Sequence, residues 1–207
     1  MLRLAELYLR RGWSVIPVRG KLPLFPWKEF TRRQIELDPS QWETATGVAG
    51  ICGYNDMVCI DFDDPTTATG GASVLLDMLG LDDYPWLVHT PSGGLHVWVR
   101  CKVPNAKRPG RYAKLVELRA HDCYALLPGS RIGNIVYRRK SDEDCLPAQV
   151  SERWLMAAYH AITKASPPPP VETVPLKGTD ELCKWLRTRS NGERNDSLFW
   201  AARHSDG

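Results

Sequence analysis

The segment that most restricts the fold is Met57 to Thr66, MVCIDFDDPT. Val58, Ile60 and Phe62 alternate with other residues, which is the period of a strand that turns one face to a core. The opposite face then carries Asp61 and Asp63 together. Asp64-Pro65-Thr66 is a helix start, with Asp64 or Thr66 as cap and a helix running near Ala72 to Leu79. Two carboxylates on one strand face repel each other unless a cation sits between them. Hard divalent ions such as Mg²⁺ or Mn²⁺ take oxygen ligands of this kind. A strand ending in a polar turn accounts for Asp64 as a cap, but leaves Asp61 unexplained.

The rest of the chain predicts a mixture of short strands and helices. Leu2 to Leu9 repeats with helical spacing and stops at Gly12, and Trp13 to Val18 reads as a strand followed by the turn-rich GKLPLFPWK. A short helix is expected within residues 34–46. Strands are expected at Val48 to Cys52, Trp86 to His89, Leu95 to Arg100, Leu115 to Arg119, Tyr124 to Leu127 and Ile135 to Arg138. Val150 to Thr163 predicts a helix with Trp154, Leu155 and Ala158 on its apolar side. Hairpin-like neighbours mixed with helices give an α+β class rather than a doubly wound sheet. Ser166 to Pro170 starts a stiff, proline-rich linker (166–176), and residues 177–207 read as the start of a helical module. The expected organisation is therefore a catalytic domain over 1–165, a linker and a truncated second module in a fragment of a larger protein.

Composition narrows the classes further. The 207 residues are 43% hydrophobic and 25% charged, which excludes wholesale disorder. No apolar run approaches a membrane span, and the N-terminus is an amphipathic helix rather than a signal peptide, so a cytoplasmic protein without a membrane partner is expected. The six cysteines are scattered without a CxxC or CxxH pair, so no structural zinc is expected. Charge is unevenly placed: Asn55 to Trp86 holds seven Asp and no Lys or Arg, while Arg100 to Lys140 holds eleven Lys or Arg against Glu117 and Asp122. That pattern suits a protein holding metal ions beside a polyanion, and equally suits two solvated faces.

Two further segments carry candidate chemistry. In Thr90 to Arg100, TPSGGLHVWVR, the glycines free a turn to present backbone N–H groups to an anion. His96 shares a face there with Trp98 and Arg100, opposite Leu95, Val97 and Val99; an ordinary hairpin with a surface histidine fits the same residues. His89, on the preceding strand, reads as structural. In Lys114 to Arg119, KLVELR, Glu117 and Arg119 share one face, with Val116 and Leu118 in the core. Glu117 is either a third metal ligand or the partner of Arg119 or Lys114 in a surface ion pair.

The chain from about Leu4 to Thr163 resembles the bifunctional primase–polymerase domains of the archaeo-eukaryotic primase superfamily, common in phage and plasmid replication proteins. The resemblance rests on GWSVIPV, GKLPLFPWK, AGICGYNDMVCIDFDD, HTPSGGLHVWVR and VELRAHDCYALLPGS, taken in this order. It implies an RRM-like sheet with flanking helices, followed by a short helical segment. It also implies that Asp61 and Asp63 are the metal-binding acid pair and that His96 contacts the phosphates of the incoming nucleotide. Ser92, Gly93 and Gly94 lie in the same turn. Glu117 matches the third acid, where the family usually carries Asp, and Arg119 a basic residue suited to the triphosphate or base. Lys21 and Lys28 match basic residues near the N-terminal turn.

The implied activity is template-directed nucleotidyl transfer, as DNA primase, DNA polymerase or both, with two Mg²⁺ or Mn²⁺ ions on Asp61, Asp63 and Glu117. The implied partners are a single-stranded DNA template, a primer strand, NTP or dNTP, and a replicative helicase in cis or in trans. Lys102, Lys107, Arg108, Arg111, Lys114, Arg138 and Arg139 are the residues expected along template phosphates, with Tyr112, Tyr137 or Trp98 available for stacking. A metal-dependent nuclease and a catalytically silent DNA-binding module are the alternatives.

Overall fold

The computed structural model describes residues 1–103 and 116–164. The described residues fall within the first of two units of the chain, Met1–Ala165. The expected linker and C-terminal helical module therefore lie outside the described residues. In the first unit, α1 (Leu2–Arg10) packs on β1 (Val15–Arg19), which turns into β2 (Leu22–Pro23). β3 (Gly47–Ile51) and β4 (Met57–Phe62) follow, and then α2 (Pro65–Leu79). β5 (Leu87–His89), β6 (Leu95–Arg100), β7 (Val116–Arg119) and β8 (Tyr124–Leu126) come next. The short strands β9 (Arg131–Ile132), β10 (Ile135–Val136) and β11 (Arg138–Arg139) lead to α3 (Glu152–Lys164). No described helix is long and apolar enough to cross a membrane.

Two antiparallel sheets carry the α+β fold. One runs β2-β1-β3-β8 and the other β11-β5-β6-β4-β7, with β9 and β10 as a separate ribbon. Within the larger sheet, β4 leads through α2 to β5, β6 returns between them, and β7 pairs on the free side of β4. This split β-α-β arrangement is the RRM-like sheet that the resemblance implies. α2 packs on β4 and β6 and against α3, covering one face of the sheet. The other face carries Cys59 and Trp98, and Trp98 meets Trp13, two residues before β1, at 4.9 Å. Trp86 lies 5.2 Å from the same Trp13 ring, so three indoles close one end of the space between the sheets.

Local chemistry explains most boundaries. Asp64 caps α2 by accepting from the Thr66 N–H at 3.1 Å, and Pro65 fills the first position, where no N–H is needed. The helix therefore begins earlier than its apolar repeat and runs through Gly70 and Gly71. The short helix expected within residues 34–46 is a single 3-10 helix, Pro39–Trp42. Asp38 caps it, and buried Trp42 anchors it to the core. Ser130, in the PGS turn, is buried, and its hydroxyl both accepts from the Val48 N–H and donates to the Val48 carbonyl, each at 2.9 Å. That turn is thus a clamp on β3.

Two assignments of faces change. Trp98 does lie opposite Val97 and Val99, but it is 0% exposed because the second sheet covers that face. It is a core residue and offers no stacking surface. On α3, Leu155 and Ala158 are buried while Trp154 is 58% exposed, one position off the stripe that meets α2.

Candidate active site

β4 delivers Asp61 to the open end of the space between the sheets, and register supplies its neighbours. Asp61 pairs with His96 of β6 on one side and with Glu117 of β7 on the other. Residues directly opposite in an antiparallel pair present their side chains to the same face. Histidine, aspartate and glutamate therefore form a row across three strands, with Asp63 beyond Asp61 at the rim.

The centre of the row is buried: Asp61 is 4% and His96 5% exposed. His96 Nε2 lies 3.3 Å from Asp61 Oδ1. Arg119 Nη2 lies 2.7 Å from Asp61 Oδ2 and 2.9 Å from Glu117 Oε2, while its Nη1 donates to the Tyr124 carbonyl at 3.1 Å. Burial alone would raise the Asp61 carboxyl, but the hydrogen bond and charge of His96, with Arg119 and Lys21, hold it below its ordinary value. Asp63 goes the other way: partial desolvation and the neighbouring Asp61 carboxylate raise it. Asp63 makes no ion pair with any described side chain. One carboxylate is thus saturated with partners and its neighbour is short of them.

These groups wall a cavity of about 330 Å³. Asp61, Asp63, His96 and Arg119 form one side, and Lys21, Trp27, Cys123 and Tyr124 stand on the other. Thr90 and the exposed Ser92 stand at the mouth, and buried Tyr137 completes the lining. Trp27 meets Tyr124 edge to face at 5.1 Å, and the Tyr124 hydroxyl donates to the Lys21 carbonyl at 3.1 Å. The β1–β2 turn is thereby pinned to β8. Tyr137 lies with its ring 5.5 Å from His96, and burial raises its hydroxyl to about 12. An acidic pair, a histidine, two cations and two aromatic faces suit a ligand with phosphates and a flat ring.

The sequence model of the family described as "Bifunctional DNA primase/polymerase, N-terminal" matches residues 5–154, well over half of the chain. The chain belongs to this family. Membership implies a nucleotidyltransferase-type DNA primase or polymerase that acts on DNA and nucleotides. No curated protein matches the sequence.

Within this primase/polymerase domain the expected site residues are partly gathered and partly dispersed. Asp61, Asp63, His96, Ser92 and Arg119 meet at the cavity, whereas Glu117 flanks it, half exposed, with its carboxylate on Arg119. Gly93 and Gly94 have packing reasons of their own. Gly93 adopts φ +88°, and a Cβ on Gly94 would lie 2.2 Å from the Phe62 carbonyl oxygen, so β6 could not approach β4 there with any larger residue. Ser92 and Thr90, 3.1 Å apart through their hydroxyls, are the members of that turn that face the cavity.

The basic residues divide similarly. Lys102 and Arg138 are exposed, whereas the Arg139 guanidinium lies 4.7 Å over Trp86 and donates to the Ser141 and Glu143 carbonyls. Lys107, Arg108, Arg111, Tyr112 and Lys114 lie outside the described residues. Lys21 reaches the cavity and exposed Lys28 is not part of its wall. Trp27 and Tyr124 are the residues that sequence reasoning missed. Their signal was the position of Trp27 inside the GKLPLFPWK turn and of Tyr124 at the start of a strand leaving the Glu117–Arg119 segment.

Proposed function

We propose that the cavity between the sheets is the active site for template-directed nucleotidyl transfer, in priming, primer extension or both. The row His96–Asp61–Glu117 across β6, β4 and β7, beside a cavity with Lys21 and two aromatic faces, carries this reading. Asp61, Asp63 and Glu117 would hold two Mg²⁺ or Mn²⁺ ions. Their hard oxygen donors suit such ions, and the Arg119 guanidinium already bridges Asp61 and Glu117 as a cation would. Among the described residues no three such side chains stand ready as a cage, so Arg119 must give up a carboxylate contact for an ion to enter. Bound ions of this kind ease deprotonation of an attacking hydroxyl and neutralise charge on the departing pyrophosphate.

The chain's own residues would do the positioning. Lys21 and Arg119 place positive charge toward the triphosphate, and Ser92 and Thr90 offer hydroxyl donors at the mouth. His96 Nδ1 is buried without a described hydrogen-bond partner, and in the imidazolium form it would donate to a phosphate oxygen. Trp27 and Tyr124 would receive the base, and exposed Lys102 and Arg138 would contact template phosphates. Phage or plasmid replication, with a helicase in cis or in trans, is the context we propose on the resemblance alone.

The test is de novo priming and primer extension on single-stranded DNA with labelled NTPs and dNTPs and Mg²⁺ or Mn²⁺. Products from the wild type and none from Asp61→Ala/Asp63→Ala are expected. A template cut only by the wild type would establish a nuclease instead. Retained DNA affinity without product in either protein would leave a binding module.

A further inference from the structure

Two of the cysteines lie opposite each other, Cys123 in the cavity wall and Cys52 buried behind it. Ile51 of β3 pairs with Tyr124 of β8, and the next pair in that register is Cys52 with Cys123. The Cys52 N–H donates to the Cys123 carbonyl at 3.0 Å, so the pairing continues past the last strand residue. Directly opposed residues in a hydrogen-bonded pair have Cα atoms about 5.5 Å apart. That separation falls within the range a disulfide spans. Gly53 brings the strands' exits together: at φ +89°, a Cβ there would lie 2.7 Å from the Ala120 carbonyl oxygen and from the His121 ring.

The two thiols differ in access. Cys52 is buried at 1% exposure, while Cys123 is partly exposed and lines the cavity. The adjacent Cys52 thiol, with the nearby Arg119 charge, holds the Cys123 thiol below its ordinary value against partial burial. Burial raises Cys52, the profile of a resolving partner. Both are free thiols in this structure.

We infer that Cys52 and Cys123 form an oxidisable dithiol that a peroxide closes to a disulfide in the wall of the cavity. The Cys123 thiolate attacks one peroxide oxygen; an S–O bond forms as the O–O bond breaks, and the departing hydroxide takes up a proton as water. The Cys52 sulfur then displaces hydroxide from the Cys123 sulfenic acid, and its thiol proton leaves with that hydroxide as a second water. The two thiols lose two electrons and the peroxide gains them. Closing the bond draws the sulfurs to about 2.05 Å and pulls on the turn between Arg119 and Tyr124, whose ends are tied by the Arg119–Tyr124 hydrogen bond.

The experiment treats the wild-type protein with hydrogen peroxide, blocks free thiols, and maps peptides by mass spectrometry with and without reductant. A cross-linked Cys52–Cys123 peptide, lost on reduction, is expected. Both thiols recovered free, or Cys123 bonded to a different cysteine, overturns the inference. Primer extension is expected to fall severalfold in the oxidised wild type and recover with reductant, while Cys52→Ala treated alike is expected to give no cross-linked peptide and to leave Cys123 as a sulfenic acid that a dimedone probe labels. This second effect rests on the polymerase reading whereas the mapping does not, so the two fail separately. A bond that forms without lowering extension overturns the coupling to the cavity.

Discussion

The closed and open ends of the space between the sheets are built from the same strand faces, yet they obey opposite rules. On β4 that face reads Met57, Cys59, Asp61; on β6, paired with it, it reads Arg100, Trp98, His96. At Trp98 the second sheet sits directly above, and the indoles of Trp13 and Trp86 fill the gap. Two residues further along, the sheets part around a cavity and the same face becomes ionic. Packing thus sets how rigidly β4 and β6 are held, and electrostatics sets what their ends can do. Substitutions at one end should cost folding and those at the other should cost chemistry.

The sharpest contrast is Asp61→Asn against Trp98→Ala. Asp61→Asn keeps the shape and removes the charge that His96 and Arg119 surround, so primer extension should drop on the order of a thousandfold. Trp98→Ala should destabilise by about 3–5 kcal/mol in denaturant unfolding, since the indole is fully buried. Any folded Trp98→Ala protein should retain its nucleotide requirements. The comparison breaks if Asp61→Asn unfolds the domain while Trp98→Ala leaves stability unchanged.

Arg119→Gln probes the seam between the two ends. The guanidinium compensates buried Asp61 and ties the Tyr124 carbonyl, so its loss should lower stability by about 1–3 kcal/mol, less than for a fully buried pair because Arg119 is partly exposed. If Arg119 also competes for the carboxylates, the variant should need less Mn²⁺ for the extension it retains. An unchanged metal requirement would separate the guanidinium from the acid pair.

How much of this could be read from the chain follows from the range of the interactions. Period-two alternation placed Asp61, His96 and Glu117 on one side of their strands because alternation is local. Their meeting depends on β4 pairing with both β6 and β7, and no spacing within a strand encodes that register. Trp98 looks available in the sequence for the same reason: a strand's second face reads as solvent-facing until another sheet lies on it. Cys52 and Cys123 look scattered because their adjacency arises from the pairing of β3 with β8, continued one residue past Ile51 and Tyr124. The Asp64 cap was legible outright, being contained within three consecutive residues.

The smallest effect isolates the imbalance between the two aspartates. A carboxyl whose proton affinity rises on folding opposes folding whenever it is ionised, and one whose affinity falls favours it. Asp63 is of the first kind and Asp61 of the second. In EDTA at neutral pH, Asp63→Asn should therefore raise stability, by under about 1 kcal/mol because the residue lies at the open rim. Asp61→Asn should lower it under the same conditions. With Mn²⁺ added, the Asp63→Asn advantage should shrink or reverse, because an ion would compensate the wild-type carboxylate and not the amide. Thermal unfolding of both variants, with EDTA and with Mn²⁺, reads this directly. If Asp63→Asn destabilises in EDTA, Asp63 is not the uncompensated charge, and the open end holds its acids by contacts of another kind.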